Sequence, residues 1–174
     1  SIATDPSGRR GLEEVRIVGV AVGNAHSLAV GLHGRLWSWG HGAGGQLGTG
    51  SLTDTLSPRR VLISDDRATA DASGTGTVLS KSGHQASAAP VFVAKVACGR
   101  DTSAAIDIHG RLYTWGANDM GVLGHGRGST QQWLPRMVRG DLAQEEVTQA
   151  SLGMSHSGCV TEQGRLYTWG GGGF

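Results

Sequence analysis

The sequence predicts an all-β protein assembled from repeats, and three observations predict it. Glycine supplies 30 of the 174 residues, well above the roughly 7% of an average chain. With 4 prolines and no Gly-X-Y period, those glycines serve tight turns between short strands rather than a collagen helix. One heptapeptide occurs three times, as GRLWSWG at 34–40 and as GRLYTWG at 110–116 and 164–170. Around it, apolar and polar residues alternate over strand-length runs that end on glycine.

Residues 1–14 form an N-terminal stub without an apolar segment, and nothing there reads as a signal peptide. Next come first strands in VRIVGVAVG (15–23), VFVAKVACG (91–99) and EVTQASLG (146–153). HSLAV, TSAAI and HSGCV make second strands, and RLWSW and RLYTW make third strands. The turns GLHG (31–34), DIHG (107–110) and TEQG (161–164) join second to third strands, each closed by a glycine suited to positive φ. The segment after each tryptophan reads as loop or edge strand, and DLAQEE (141–146) is the single helical candidate.

The spacing is fixed. VGNAHSLAV (22–30), CGRDTSAAI (98–106) and LGMSHSGCV (152–160) precede the heptapeptides, and Gly23–Trp39, Gly99–Trp115 and Gly153–Trp169 are each 16 residues apart. Downstream, GQLGTG (45–50) matches GVLGHG (121–126), and SPRRV (57–61) matches LPRMV (134–138). Trp115 and Trp169 lie 54 residues apart but Trp39 and Trp115 lie 76 apart, which requires an insertion of 22. Residues 64–89, rich in Ser, Ala, Thr, Gly and Asp, are that insertion; with so little to bury they are expected to be an exposed, mobile loop. The organisation is therefore a stub (1–14), repeat 1 (15–63), the low-complexity insertion (64–89), repeat 2 (90–144) and a truncated repeat 3 (145–174), whose last residue, Phe174, aligns with Met120.

Gly40, Gly42 and Gly45 spell G-x-G-x-x-G. A phosphate-binding version needs a helix directly after it, whose N-terminal amides hold the anion. Here QLGTGSLTDTLSP follows, and the second copy, GANDMG (116–121), replaces the middle glycine with Asn118. No lysine precedes Ser51, so the Walker pattern fails as well. These glycines are turn positions.

A net charge of +1 with 17% charged residues offers no general electrostatic grip on nucleic acid or an acidic membrane. No stretch approaches the roughly 20 apolar residues of a membrane helix. Cys98 and Cys159 are enough for one disulfide but lack metal-ligand spacing; the favoured reading is two reduced, buried thiols of an intracellular protein, nuclear or cytoplasmic. No cofactor, metal site or catalytic group is expected.

The pattern x-G-x-x-H-[ST], then G-x-[LV]-[YW]-x-W-G, then G-Q-L-G-x-G and a proline resembles the regulator-of-chromosome-condensation repeat family. Gly23, His26, Ser27, Gly34, Leu36, Trp39, Gly40, Gly45, Gln46, Leu47, Gly48, Gly50 and Pro58 carry the resemblance, joined by Gly99, Asn118, Pro135, His156 and Trp169 in the later copies. The resemblance implies β-propeller blades, seven in the intact family, of which about three repeats are present here as an incomplete arc. Open edges make self-association through them an expectation.

Trp39, Trp115 and Trp169 are expected between blades, with each indole N–H on a carbonyl. One plant branch of the family senses light through tryptophans near a G-W-R-H-T loop. GNAHS, GRDTS and GMSHS contain none, so that function is set aside. His26 and His156 occupy one repeat position and read as structural, because Thr102 fills it in the middle copy; a hydroxyl can replace a hydrogen bond but not a zinc ligand. The resemblance also implies that these loops meet a Ran-type small GTPase in the exchange factors of the family. Asn24, His26, Arg100, Asp101 and His156 are the matching positions, and Asp101 stands out against Ala25 and Ser155. Trp133, without a counterpart in the first copy, is expected in a loop as an anchor for a partner or a cover for a blade edge. The reading is thus a non-enzymatic protein-interaction module. Guanine-nucleotide exchange is the alternative, with the insertion as a candidate wedge. Chromatin binding lacks a basic tail.

Overall fold

The computed structural model describes residues 15–64, 90–126 and 131–171. The stub and all of the insertion beyond Ser64 lie outside them. The described chain makes three antiparallel sheets in sequence. The first holds β1 (Ile17–Val22), β2 (His26–Gly31), β3 (Leu36–Gly40) and β4 (Thr55–Val61), hydrogen-bonded in that order. The second holds β5 (Val93–Cys98), β6 (Thr102–Asp107), β7 (Leu112–Ala117) and β8 (Gln131–Met137), and the third β9 (Val147–Leu152), β10 (His156–Thr161) and β11 (Leu166–Gly170). Each sheet is a meander of the kind a propeller uses as a blade.

Register is the same in every copy. Ser27 faces Trp39, Ser103 faces Trp115 and Ser157 faces Trp169 across the second and third strands. The positions after those tryptophans, Gly40, Gly116 and Gly170, have φ of 107°, 108° and 115°, a region closed to other residues without strain. A Cβ there would lie 2.4–2.6 Å from the carbonyl oxygens of Ala25, Asp101 and Ser155 respectively. Turns and then β4 follow Gly45, so no helix N-terminus exists there to hold a phosphate.

Two expectations change. Of the two readings of the segment after the tryptophan, the edge strand is what forms in both complete blades, and it carries Trp133 on β8, not in a loop. The DLAQEE helix is only a 3-10 turn over Gly140–Leu142 with Leu142 buried. A six-residue stretch cannot repay helix nucleation, and the following glutamates lead straight into β9.

The core sits between sheets rather than inside one. Leu28, Val30, Leu36 and Val61 of the first blade pack with Val93, Tyr113, Trp115 and Met137 of the second. Ala104, Ile106, Leu112 and Val138 pack with Val147 and Cys159 of the third. Cys98 and Cys159 are free, and burial raises their thiol pKa values to about 12 and about 11. Pro58 on β4 and Pro135 on β8 each remove an N–H from an outermost strand, which blunts the edge against pairing with other chains.

Candidate functional site

The sequence folds its loops onto one face by clasping each blade to the next. In the first junction the backbone carbonyl of Gln46 accepts two bonds from the second blade, from Ser103 Oγ at 2.7 Å and Trp115 Nε1 at 2.9 Å. In the next, the Val122 carbonyl accepts from Ser157 Oγ at 2.9 Å and Trp169 Nε1 at 2.8 Å. The loop that presents the carbonyl is held in turn by its own blade, since Ser38 Oγ donates to Leu47 O and Thr114 Oγ1 to Leu123 O, both at 2.6 Å. Thus the indoles of Trp115 and Trp169 act as expected. Gly48 and Gly124 make the approach possible. A Cβ on Gly48 would meet Trp115 Nε1 at 2.6 Å, and one on Gly124 would meet Trp169 Nε1 at 3.0 Å.

His26 belongs to this clasp. Its Nε2 lies 2.9 Å from Ser103 Oγ. The Ser103 proton is committed to the Gln46 carbonyl, so Nε2–H is the donor and Ser103 the acceptor. The ring is buried, and its pKa is lowered, first by desolvation, with the Asp101 charge opposing. Thr102 occupies the same place one blade on, but its hydroxyl does not replace that bond. Thr102 Oγ1 is buried and has no hydrogen-bond partner among the described residues, because a threonine is too short to span the junction.

The remaining candidates divide between face and rim. Asn24 and Arg100 are exposed in the loops between first and second strands, and His156 is exposed at the start of β10. The Asn24 N–H donates to the Arg100 carbonyl at 3.2 Å, so adjacent loops are fixed to each other. Asp101 is partly exposed, receives Arg100 Nε at 3.1 Å, and its carbonyl accepts from the Ala117 N–H at 3.0 Å. His156, unlike His26, stays exposed. Trp133 sits apart, exposed on the outer rim. Its counterpart is Leu56: Thr55 pairs with Gly40 as Gln132 pairs with Gly116, which puts Leu56 and Trp133 at the same register. Both are exposed.

Three further loop-face residues escaped the motif search. Asp119, Met120 and Met154 line a crevice with Arg100, Asp101 and Thr102 at the junction of the second and third blades. In the first repeat Ala43 and Gly44 stand where Asp119 and Met120 stand in the second. That departure from the repeat was the available signal. A buried acid, Asp107, was also missed. It accepts the N–H groups of His109 and Arg111, each at 2.9 Å, and pairs with Arg111 Nε at 2.5 Å, so its role is to tie the DIHG turn. Among the described residues no group of three His, Cys, Asp or Glu could hold a metal ion, and no helix is long and apolar enough to cross a membrane.

The model of the regulator of chromosome condensation (RCC1) repeat matches residues 33–106 and 109–160, and a second RCC1-repeat model matches 93–122. The chain belongs to the RCC1-repeat family. Each matched RCC1 repeat starts near the third strand of one blade and ends on the second strand of the next, so the sequence repeat itself stitches neighbouring blades together. The chain is 32% identical over 189 residues to the human E3 ubiquitin-protein ligase HERC2, a match covering 91% of this chain and 4% of that protein. To the ultraviolet-B receptor UVR8 of Arabidopsis thaliana it is 33% identical over 165 residues, covering 95% of this chain and 32% of the receptor. Human WBSCR16 superposes with a TM-score of 0.70 at 27% identity, over 90% of this chain and 33% of that one. Prp20p of Saccharomyces cerevisiae, whose structure is described with its binding properties to Gsp1p and histones, gives 0.64 at 22% identity, over 89% of this chain and 33% of Prp20p. The RCC1-repeat chain therefore spans a third or less of these relatives, and at 22% the last likeness speaks for the propeller fold alone.

Proposed function

We propose that this chain is a non-enzymatic interaction module that binds a partner protein through the loop face of its propeller arc, inside the cell, in the nucleus or cytoplasm. The observation that carries the reading is the contrast between scaffold and face. Strand register, the indole clasp and the turn glycines repeat from blade to blade, whereas Asp101, Asp119, Met120 and Met154 break the repeat only where they meet solvent. A rigid scaffold with variable loops suits recognition. Partner capture on the immobilised chain tests it. Asp101→Ala should reduce capture, and Trp133→Ala on the rim should not. Loss on the rim variant alone would move the binding surface there.

Asp101 also supports guanine-nucleotide exchange on a Ran-type GTPase as a second reading. Such a module would bind the nucleotide-free GTPase more tightly than the loaded one, with no covalent step. Release of a fluorescent nucleotide from the GTPase, accelerated by the chain and abolished by Asp101→Ala, is the expected result of exchange. Unchanged release at micromolar chain leaves the binding module without exchange. Ligase activity and light sensing are not part of the proposal. The match to HERC2 covers 4% of that protein, and the loops GNAHS, GRDTS and GMSHS carry no tryptophan.

A further inference from the structure

We infer that the crevice between the second and third blades is a socket for one cationic side chain, lysine or arginine, presented by the partner polypeptide. The inference rests on the loop-face reading above and names what that face recognises. The crevice holds about 140 Å³, room for several waters at about 30 Å³ each and so for one long unbranched side chain.

Its walls have two chemistries. Met120 and Met154, 58% and 71% exposed, flank it with flexible, polarisable thioethers that adapt to an alkyl stem. Asp101 and Asp119 line it with carboxylates. Arg100 already pairs with Asp101 at 3.1 Å, but no cation among the described residues pairs with Asp119. The three charges sum to one negative charge, which an incoming cation completes. Thr102 adds a third, independent observation. It lines the crevice, is 3% exposed, and carries a buried Oγ1 without a hydrogen-bond partner. An unpaired buried hydroxyl is costly and offers an acceptor to a cationic N–H.

The socket exists because of one substitution within the repeat. At the preceding junction His26 fills the equivalent position and spans to Ser103. The shorter Thr102 makes no such bond across its own junction. The walls are also fixed before any partner arrives. Asn118 pins the turn bearing Asp119 and Met120, its carbonyl accepting from Gly121 N–H at 3.1 Å and its Oδ1 from Leu123 N–H at 3.0 Å. Across the junction, Gly171 N–H donates to Ser155 O at 2.7 Å. Preorganised walls lower the entropy lost on binding.

The chain contains three methionines, and the third, Met137, is buried on β8. Methyl-¹³C-methionine NMR of the whole chain therefore reads the socket directly with an internal control. Acetylated, amidated tripeptides Gly-Lys-Gly and Gly-Arg-Gly are the probes, with Gly-Glu-Gly and Gly-Gln-Gly as comparisons. Saturable shifts of Met120 and Met154 with the cationic peptides, Met137 unmoved, are the expected result. Asp119→Asn should weaken the response several-fold. Thr102→His, which removes no charge and refills the junction, should abolish it. No response at millimolar peptide, equal responses to all four peptides, or an unaltered response in Thr102→His would each overturn the socket. If the socket fails while Asp101→Ala still reduces partner capture, the binding face stands without it; if both fail, so does the face.

Discussion

Gly48 shows how a single hydrogen atom in place of a methyl sets the junction. At φ 66° any other residue pays about 1–2 kcal/mol for the left-handed backbone, and here a Cβ would also press within 2.6 Å of the Trp115 indole nitrogen. Gly126, at φ 80°, pays the first cost and not the second, since nothing lies within 4 Å of its Cβ position. Gly48→Ala should therefore lose about 1–3 kcal/mol more than Gly126→Ala, the usual penalty of overpacking. Urea unfolding of the two variants measures the difference, and equal losses would mean the indole does not need the gap. Ser103 is the companion case. It both donates to the Gln46 carbonyl and accepts from His26, so Ser103→Ala leaves His26 Nε2–H without a partner and the Gln46 carbonyl with Trp115 Nε1 alone, and should cost about 1–3 kcal/mol in the same assay.

At the scale of the element, His125 makes the second blade sensitive to acid. It sits on the GVLGHG loop with Nε2 at 3.0 Å from Thr114 Oγ1 and 3.3 Å from the Thr114 carbonyl. Thr114 Oγ1 spends its proton on Leu123 O, so the neutral ring donates through Nε2–H. Burial, the largest cause, drives its pKa from 6.5 down to about 4, with the Thr114 carbonyl opposing and Arg136 assisting. The folded state thus resists a proton that the unfolded chain accepts. Stability is full above the unfolded value near 6.5 and falls as pH drops toward 4, by up to about 3 kcal/mol at 1.36 kcal/mol per unit. His26, lowered in the same direction, adds to the slope. His125→Thr, which copies Thr49 of the first repeat, should flatten the decline between pH 6.5 and 4. An unchanged slope would assign the acid sensitivity elsewhere. Elements were largely legible in the sequence, because period-two alternation and fixed glycines mark the start and end of each strand. The outer strands were legible only as loop or edge strand. The match of SPRRV to LPRMV already sets Leu56 against Trp133; the one extra residue between the GVLGHG loop and β8, relative to the first repeat, obscured only the pairing of these strands, which the backbone register supplies. Nor could spacing tell that Thr102 falls short of Ser157, since that depends on the gap between two sheets rather than on either sheet.

At the scale of the whole molecule, no described residue covers the first face of the arc. Val96 and Cys98 of β5 pack against the core shared with the first blade, and Ala150 and Leu152 of β9 do the same one junction on. Their counterparts on β1, Val20 and Val22, are exposed. Trp39 is half-buried, as Trp169 is, but no described carbonyl receives its indole N–H, whereas Trp115 and Trp169 each donate to a carbonyl of the preceding blade. A surface built to be an interior is apolar, flat and preformed, and water gains on leaving it. The chain by itself is therefore expected to associate through this face. Sedimentation velocity across a hundredfold range of concentration should show mass rising with concentration. Val20→Lys with Val22→Lys should hold the chain at one copy while leaving its unfolding midpoint nearly unchanged, because both side chains already face solvent. A mass that stays at one copy without the lysines, or a double variant that associates as before, would show that the bare face of the first blade is not what drives the contact.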